Sequence, residues 1–134
     1  MDETAIRRVP LFGGLSRKQR KLLAMWIDEV DVPPGKVLCC KGRPADEFFV
    51  IEEGTAKVVR DGQYLDALGP GDFFGEMGLL DDEPRNADVI AETALTVLVL
   101  RGPALKELER DAPNLARRLR RSVQQRREWL EPVP

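Results

Sequence analysis

The sequence predicts a mainly β domain with flanking helices: an antiparallel sandwich or barrel of jelly-roll type, with one helix before it and two after it. Three observations carry this reading. Apolar residues recur with the helical period at both ends of the chain and lose it in the middle. Between Val37 and Leu100 the chain breaks into short runs rich in Val, Phe and Ile, separated by Gly-containing turns. Asp61-Gly62, between Val58-Val59 and Tyr64-Leu65, is a strong two-residue hairpin signal, because the primed turn needs positive φ at both central positions.

The first element runs from about Ser16 to Val30, where Leu15, Leu22, Leu23, Trp26, Ile27 and Val30 fall on one helical stripe. Ser16 followed by Gln19 has the form of a capping box, in which each side chain satisfies a free backbone N–H of the other. Pro33-Pro34-Gly35 ends any helix. Strand-like runs follow at Val37 to Cys40, Glu47 to Glu52, Thr55 to Arg60, Gln63 to Leu68, Val89 to Ala91 and Leu95 to Leu100. The helical period returns at Pro103, through Leu105 and Leu108, and after Pro113 through Leu115, Leu119 and Val123 to about Leu130. Pro113 suits the first turn of a helix, where its missing N–H costs no hydrogen bond. No repeat, low-complexity block or linker interrupts the chain. Residues 1–134 therefore read as a single domain, with a helical N-terminus to about residue 30, a β-roll over about 31–101 and C-terminal helices over about 102–130.

With 134 residues, 43% of them hydrophobic and 33% charged, the chain has the profile of one soluble globular domain. A core of this size needs no disulfide or metal staple. No apolar run approaches the roughly 20 residues of a membrane span, and no signal-peptide pattern opens the chain. The absence of histidine removes Ser-His-Asp triads, imidazole bases and His-ligated zinc. No nucleophile–base pair stands out either, so an enzyme is not expected. Cys39 and Cys40 are neighbours that would point to opposite faces of a strand and cannot readily bridge, which fits a reducing, cytoplasmic setting. Charge is uneven: residues 1–100 carry a net −6 and residues 101–134 a net +4. A surface that acidic is not built for nucleic acid, so any such role would fall to the tail.

The informative stretch runs from Gly69 to Val89. Gly69-Pro70-Gly71-Asp72 leads through Phe73-Phe74 into Gly75-Glu76-Met77-Gly78-Leu79-Leu80, read as a short helical turn whose free backbone N–H groups suit an anion. The acidic run Asp81-Asp82-Glu83, read as a solvated loop, separates it from Pro84-Arg85-Asn86-Ala87. An acid to accept from a sugar hydroxyl, exposed amides and an arginine for a phosphate make a sugar-phosphate site.

On these residues the chain resembles the cyclic-nucleotide-binding domain family of catabolite-activator-type regulators, protein kinase A regulatory subunits and gated channels. The likeness lies in the phosphate-binding cassette, here Phe74-Gly75-Glu76-Met77-Gly78-Leu79 and Pro84-Arg85-Asn86-Ala87. Leu11-Phe12, Pro34-Gly35, Gly54 and Leu68-Gly69-Pro70-Gly71-Asp72 support it, and the resemblance spans roughly residues 9 to 128. It implies a double-stranded β-helix (jelly-roll) barrel that holds cyclic AMP or cyclic GMP and needs no other cofactor. By the resemblance, Arg85 pairs with the cyclic phosphate and Glu76 accepts from the ribose 2′-hydroxyl. Amides near Gly78 and Asn86 complete the cradle, so Gly75, Glu76, Met77, Gly78, Arg85, Asn86 and Ala87 form the ligand-binding set. Val58 and Leu65, by position, are candidates for apolar support of the purine. Asn86 and Asp88 depart from the commoner pattern. Strand alternation from Arg85 turns Asp88 away from the phosphate.

The resemblance further implies that the last helix closes over the base and in many members makes a homodimer contact. Leu115, Leu119 and Val123 form a narrow stripe suited to a sheet or a helix seam. Arg126 and Trp129 are candidate lid residues. The expected function is a regulatory sensor that answers to an effector protein, with neither membrane nor nucleic acid as partner. The alternatives are a nucleotide-independent interaction domain of the same fold, and the ligand-sensing part of a transcription regulator without its DNA-binding module.

Overall fold

A computed structural model describes residues 3–39, 47–75 and 87–130, with side chains as far as residue 125. The chain starts with a short helix α1, Glu3–Arg7, a single 3₁₀ turn at Pro10–Phe12, and α2, Arg17–Ala24. The strands are β1 Ile27–Val32, β2 Val37–Cys39, β3 Glu47–Glu53, β4 Ala56–Arg60, β5 Gln63–Leu68, β6 Phe73–Gly75, β7 Asp88–Ala91 and β8 Leu95–Arg101. Two helices close it, α3 Gly102–Asp111 and α4 Pro113–Leu130.

The strands form two antiparallel four-stranded sheets: sheet 1 in the order β1-β8-β3-β6 and sheet 2 in the order β2-β7-β4-β5. Their inner faces meet in one apolar cluster, with Phe49, Ile51, Phe74, Val97 and Val99 from sheet 1 against Cys39, Ala56, Val89 and Ala91 from sheet 2. Phe49 and Phe74 stack at 4.9 Å inside it. The outer face of sheet 1 carries a second cluster, in which Phe48, Val50, Leu98 and Leu100 pack under the helices. Strands β3 and β8 are thus buried on both faces. That is why Phe48 to Ile51 and Val97 to Leu100 read as continuous apolar runs rather than alternating ones.

Several local expectations are met. The Ser16 hydroxyl accepts from the Gln19 N–H at 3.1 Å and the Gln19 side chain accepts from the Ser16 N–H at 3.0 Å, closing the capping box. Asp61 and Gly62 take φ of 52° and 80°, the left-handed pair the β4–β5 hairpin demands. Pro113 opens α4.

Two expectations are corrected. The helix predicted to reach Val30 stops at Ala24, and Ile27–Val32 is β1, paired in register with β8 from Ile27 opposite Leu100 to Val32 opposite Leu95. The Met25 and Trp26 N–H groups bond three residues back to Leu22 and Leu23, tightening the last turn. Ile27, Val30 and Val32 are stiff β-branched residues that a sheet partner wins over. The stripe misleads because Leu23 and Ile27 bury in the same cluster from different elements. The second correction is β6: Phe73–Gly75, read as the approach to a helical turn, instead pairs with β3, Gly75 opposite Phe48 and Phe73 opposite Val50.

Candidate functional site

The cassette identified in the sequence begins on one sheet and ends on the other. Its first two residues, Phe74 and Gly75, end β6 at the edge of sheet 1, and Ala87 immediately precedes β7 in sheet 2. Glu76, Met77, Gly78, Arg85 and Asn86, with the acidic run at 81–83, lie outside the described residues. Gly75 has φ of 103°, and a Cβ placed there would stand 2.3 Å from the Glu47 carbonyl oxygen. Only glycine lets the end of β6 lie that close to β3.

The turn feeding β6 is tied down residue by residue. The Asp72 carboxylate accepts from the Gly69 N–H at 2.8 Å, and the Asp72 N–H donates to the Gly69 carbonyl at 3.0 Å. The Gly71 N–H donates to the Ile51 carbonyl at 2.8 Å, and the Ile51 N–H returns to the Asp72 carbonyl at 2.9 Å. Phe73 and Phe74 then anchor opposite faces, Phe73 beside Phe48 at 5.5 Å and Phe74 in the interior. The cassette therefore departs from a rigid platform.

Its other end is held by β7. Val58 lies opposite Val89 and Val59 opposite Asp88. Because Val89 and Ala91 are buried in the interior, alternation puts Asp88 and Ile90 on the outer face of sheet 2. Asp88 therefore points away from the interior of the roll; its relation to Arg85 lies outside the described residues. Val58 is half-buried and packs on the interior cluster, two residue positions from Ala87 through its partner Val89. Leu65 does not stand opposite Val58: that position belongs to Asp66, and the pairing shifts between Val58 and Val59, leaving Leu65 at the irregularity. It is 45% exposed and its neighbour Tyr64 59% exposed, on a strand whose residues Gln63 to Ala67 are all solvent-facing. Tyr64 was read only as a strand residue. The signal for it is the bulge, which a period-2 reading of β5 does not contain.

The C-terminal helices pack on the far side of sheet 1. Leu115, Leu119 and Val123 are buried with Phe12, Phe48 and Leu98, so the narrow stripe seats α4 on the sheet and the 3₁₀ turn. A homodimer through this helix would have to use other residues. Arg118 donates to the Gly14 carbonyl at 2.8 Å, Arg120 approaches Glu109 at 3.6 Å, and the Trp26 indole donates to Glu107 at 3.1 Å, binding both helices to their surroundings. A small apolar void of about 10 Å³ remains beneath Leu119 and Val123. The side chains of Arg126 and Trp129 lie outside the described residues. Among the described residues no cluster of His, Cys, Asp and Glu could hold a metal, and no helix is long and apolar enough to cross a membrane.

Comparison with known proteins bears on this arrangement. Residues 29–111 match the model of the cyclic nucleotide-binding domain. The chain is 34% identical over 120 residues to a cAMP-dependent protein kinase regulatory subunit from Emericella nidulans, covering 88% of this chain and 29% of that protein. It is 34% identical over 122 residues to a cyclic nucleotide-gated potassium channel from Mesorhizobium japonicum, covering 91% of this chain and 34% of the channel. It thus spans about a third of the length of these curated relatives. Among solved structures it resembles the N-terminal domain of a transcriptional regulator from Streptomyces coelicolor A3(2), with a TM-score of 0.74 and 33% identity over 96% of this chain and 92% of that one. With the jelly-roll sheets, the glycine-pinned end of β6 and the cassette strung from there to β7, the chain belongs to the cyclic nucleotide-binding domain family.

Proposed function

We propose that this chain is a sensor that binds a cyclic purine nucleotide, cyclic AMP or cyclic GMP, and passes the signal to an effector protein through α4 in a cytoplasmic setting. The observation that carries the reading is the anchoring of the cassette. The stretch containing Glu76 and Arg85 leaves sheet 1 at Gly75, which nothing but glycine can fill, and returns to sheet 2 beside Val58. The printed names of the relatives, cAMP-dependent and cyclic nucleotide-gated, support the ligand class. In this reading Arg85 pairs with the single charge of the cyclic phosphate and Glu76 accepts from the ribose. Val58 and Leu65 supply apolar contact for the purine. The role is binding without turnover.

The output follows from what α4 touches. Its apolar stripe is already buried against Phe12 and sheet 1, so closure over a bound base requires the helix to shift on that seat and to give up the Arg118 bond to Gly14. Such a shift happens only to the extent that nucleotide binds the two positions unequally.

Calorimetric titration of nucleotide-free protein with cyclic AMP and, separately, cyclic GMP tests the proposal. One of them binds, and Arg85→Ala weakens it by about 10- to 150-fold, the worth of a charge-assisted pair. Heat from neither, with the protein folded, assigns the chain instead to nucleotide-independent interaction.

A further inference from the structure

The helical layer carries a charge that the nucleotide site does not use. Residues 27–101 hold 16 acidic side chains against 7 basic ones, whereas residues 1–26 hold 2 against 6, and residues 113–125 hold four arginines and no acid. Helices α2 and α4 concentrate this excess on their solvent faces. In α2 the buried side is Leu23 and Ala24, and Arg17, Lys18 and Lys21 are exposed on the other. Met25, the C-cap of the helix in helical geometry, stands four residues beyond Lys21 on that face and is 76% exposed. In α4 Leu115, Ala116, Leu119 and Val123 are buried, and Arg117, Arg118 and Arg121 are exposed.

The two faces adjoin. The Arg118 guanidinium donates to the Gly14 carbonyl, two residues before the Ser16 cap of α2, so the arginines of α4 border the first turn of that helix. Ion pairing does not account for the cluster. Helices α2 and α4 make their pairs with half-buried arginines, Arg20 to Glu3 at 2.6 Å and Arg120 to Glu109 at 3.6 Å. Among the described residues Arg17, Lys18, Lys21 and Arg121 take part in none. Helix stability does not account for it either, because the first turn of a helix favours acids and α2 places Arg17 and Lys18 there with no acid.

We propose that this face, Arg17, Lys18, Lys21 and Met25 of α2 with Arg118 and Arg121 of α4, is where the effector protein docks, through a surface of carboxylates with an apolar side chain set among them. The proposal rests on the sensor reading for what the partner does, not for where it binds. Guanidinium forks hold carboxylates by paired hydrogen bonds. Met and Arg are both enriched in protein contacts, and a bare Met among cations has nothing to meet on a phosphate backbone. The surroundings also favour a partner of limited extent. Strand β1 begins two residues after Met25 and exposes Asp28 and Asp31. A long polyanion, such as a duplex or a lipid surface, would run on over these repelling carboxylates, whereas a partner the size of the basic face is steered onto it.

The test uses the nucleotide-free full chain, ¹⁵N amide NMR and, as probe, a flexible peptide of glutamates with interspersed leucines, at physiological ionic strength. The peptide should shift the amides of residues 17–25 and 117–121. Arg17→Glu with Lys18→Glu should weaken binding by about tenfold or more, and the variant keeps its helix because acids suit the first turn. The same charge change on the roll, Lys36→Glu with Arg60→Glu, should alter binding by less than about twofold. Met25→Ala, which changes no charge, should weaken it by about threefold. Absence of peptide binding, equal losses at the two charge pairs, no effect of Met25→Ala, or tighter binding of a DNA duplex or of phosphatidylserine vesicles than of the peptide overturns the proposal. Calorimetry of the Arg17→Glu, Lys18→Glu protein with cyclic AMP and cyclic GMP separates the two readings. Wild-type nucleotide affinity with the peptide lost supports a docking face apart from the nucleotide site. Peptide binding with the expected losses, by a chain that takes up neither nucleotide, removes the sensor reading and upholds the surface.

Discussion

The two sheets have four strands each and opposite circumstances. Sheet 1 is covered twice, by the interior cluster on one face and by all the helices on the other. Among the described residues, sheet 2 is covered on its inner face alone. Its outward residues Val37, Lys57, Val59, Asp88 and Ile90 are half-buried or exposed, and its edge strand β5 is solvent-facing through Gln63 to Ala67. The difference separates two tasks. Sheet 1 concentrates the buried apolar area that keeps the chain folded. Sheet 2, with the cassette's exit and the β4–β5 hairpin, has side chains to spare for a ligand. Local stability should follow, highest along β3 and β8 and lowest at β5.

The largest expected effect breaks or upholds that contrast directly. Leu98 is 1% exposed and packs beneath the helices. Leu98→Ala should cost about 2 to 5 kcal/mol, the usual range for an unrelaxed core cavity, seen as a lower midpoint in urea unfolding. If it cost no more than truncating Leu65, the assignment of stability to sheet 1 would fail.

A pair of glycines sharpens the comparison next. Both Gly75 and Gly62 have positive φ, but a Cβ at Gly75 runs into the Glu47 carbonyl while a Cβ at Gly62 meets nothing within 4 Å. Gly62→Ala carries only conformational strain, about 1 kcal/mol. Gly75→Ala adds a collision with backbone and should cost about 2 to 3 kcal/mol in thermal melting. It should also weaken nucleotide binding, since it moves the platform from which the cassette departs. Equal losses at the two positions would mean that β6 yields freely and does not position the site.

The unequal sheets also explain what could be read in the sequence. The hairpin at Asp61-Gly62, the capping box at Ser16 and the helix opening at Pro113 were legible because each is a local device with its own side-chain chemistry. The family was legible for a different reason: the Gly75-Glu76 and Pro84-Arg85 runs carry its pattern along the chain itself, and the family's model matches residues 29–111. The boundary between α2 and β1 was hidden, because Leu23 and Ile27 serve one core from two elements and their spacing mimics a helix. Strand β6 was hidden by its glycine. The final glycine of a strand reads as a turn unless the close approach of β3 is known. The double burial of β3 and β8 has no one-dimensional signature, because it depends on which layer covers each face.

The smallest expected effect on stability is the most telling for function. Val58 and Leu65 were paired in the sequence reading as joint supports for a purine, yet Asp66, not Leu65, stands opposite Val58. Val58 contributes to the interior cluster, so Val58→Ala removes packing as well as any ligand contact. Leu65 is 45% exposed and lies outside that cluster. Leu65→Ala should therefore leave the unfolding midpoint within about 0.5 kcal/mol of wild type. If Leu65 covers the base, the same substitution should weaken nucleotide binding by about 3- to 10-fold, the worth of one or two buried methylenes. Unchanged affinity would leave Val58 as the apolar support and make the exposed Leu65 and Tyr64 a surface feature of the β5 bulge, outside the nucleotide's reach.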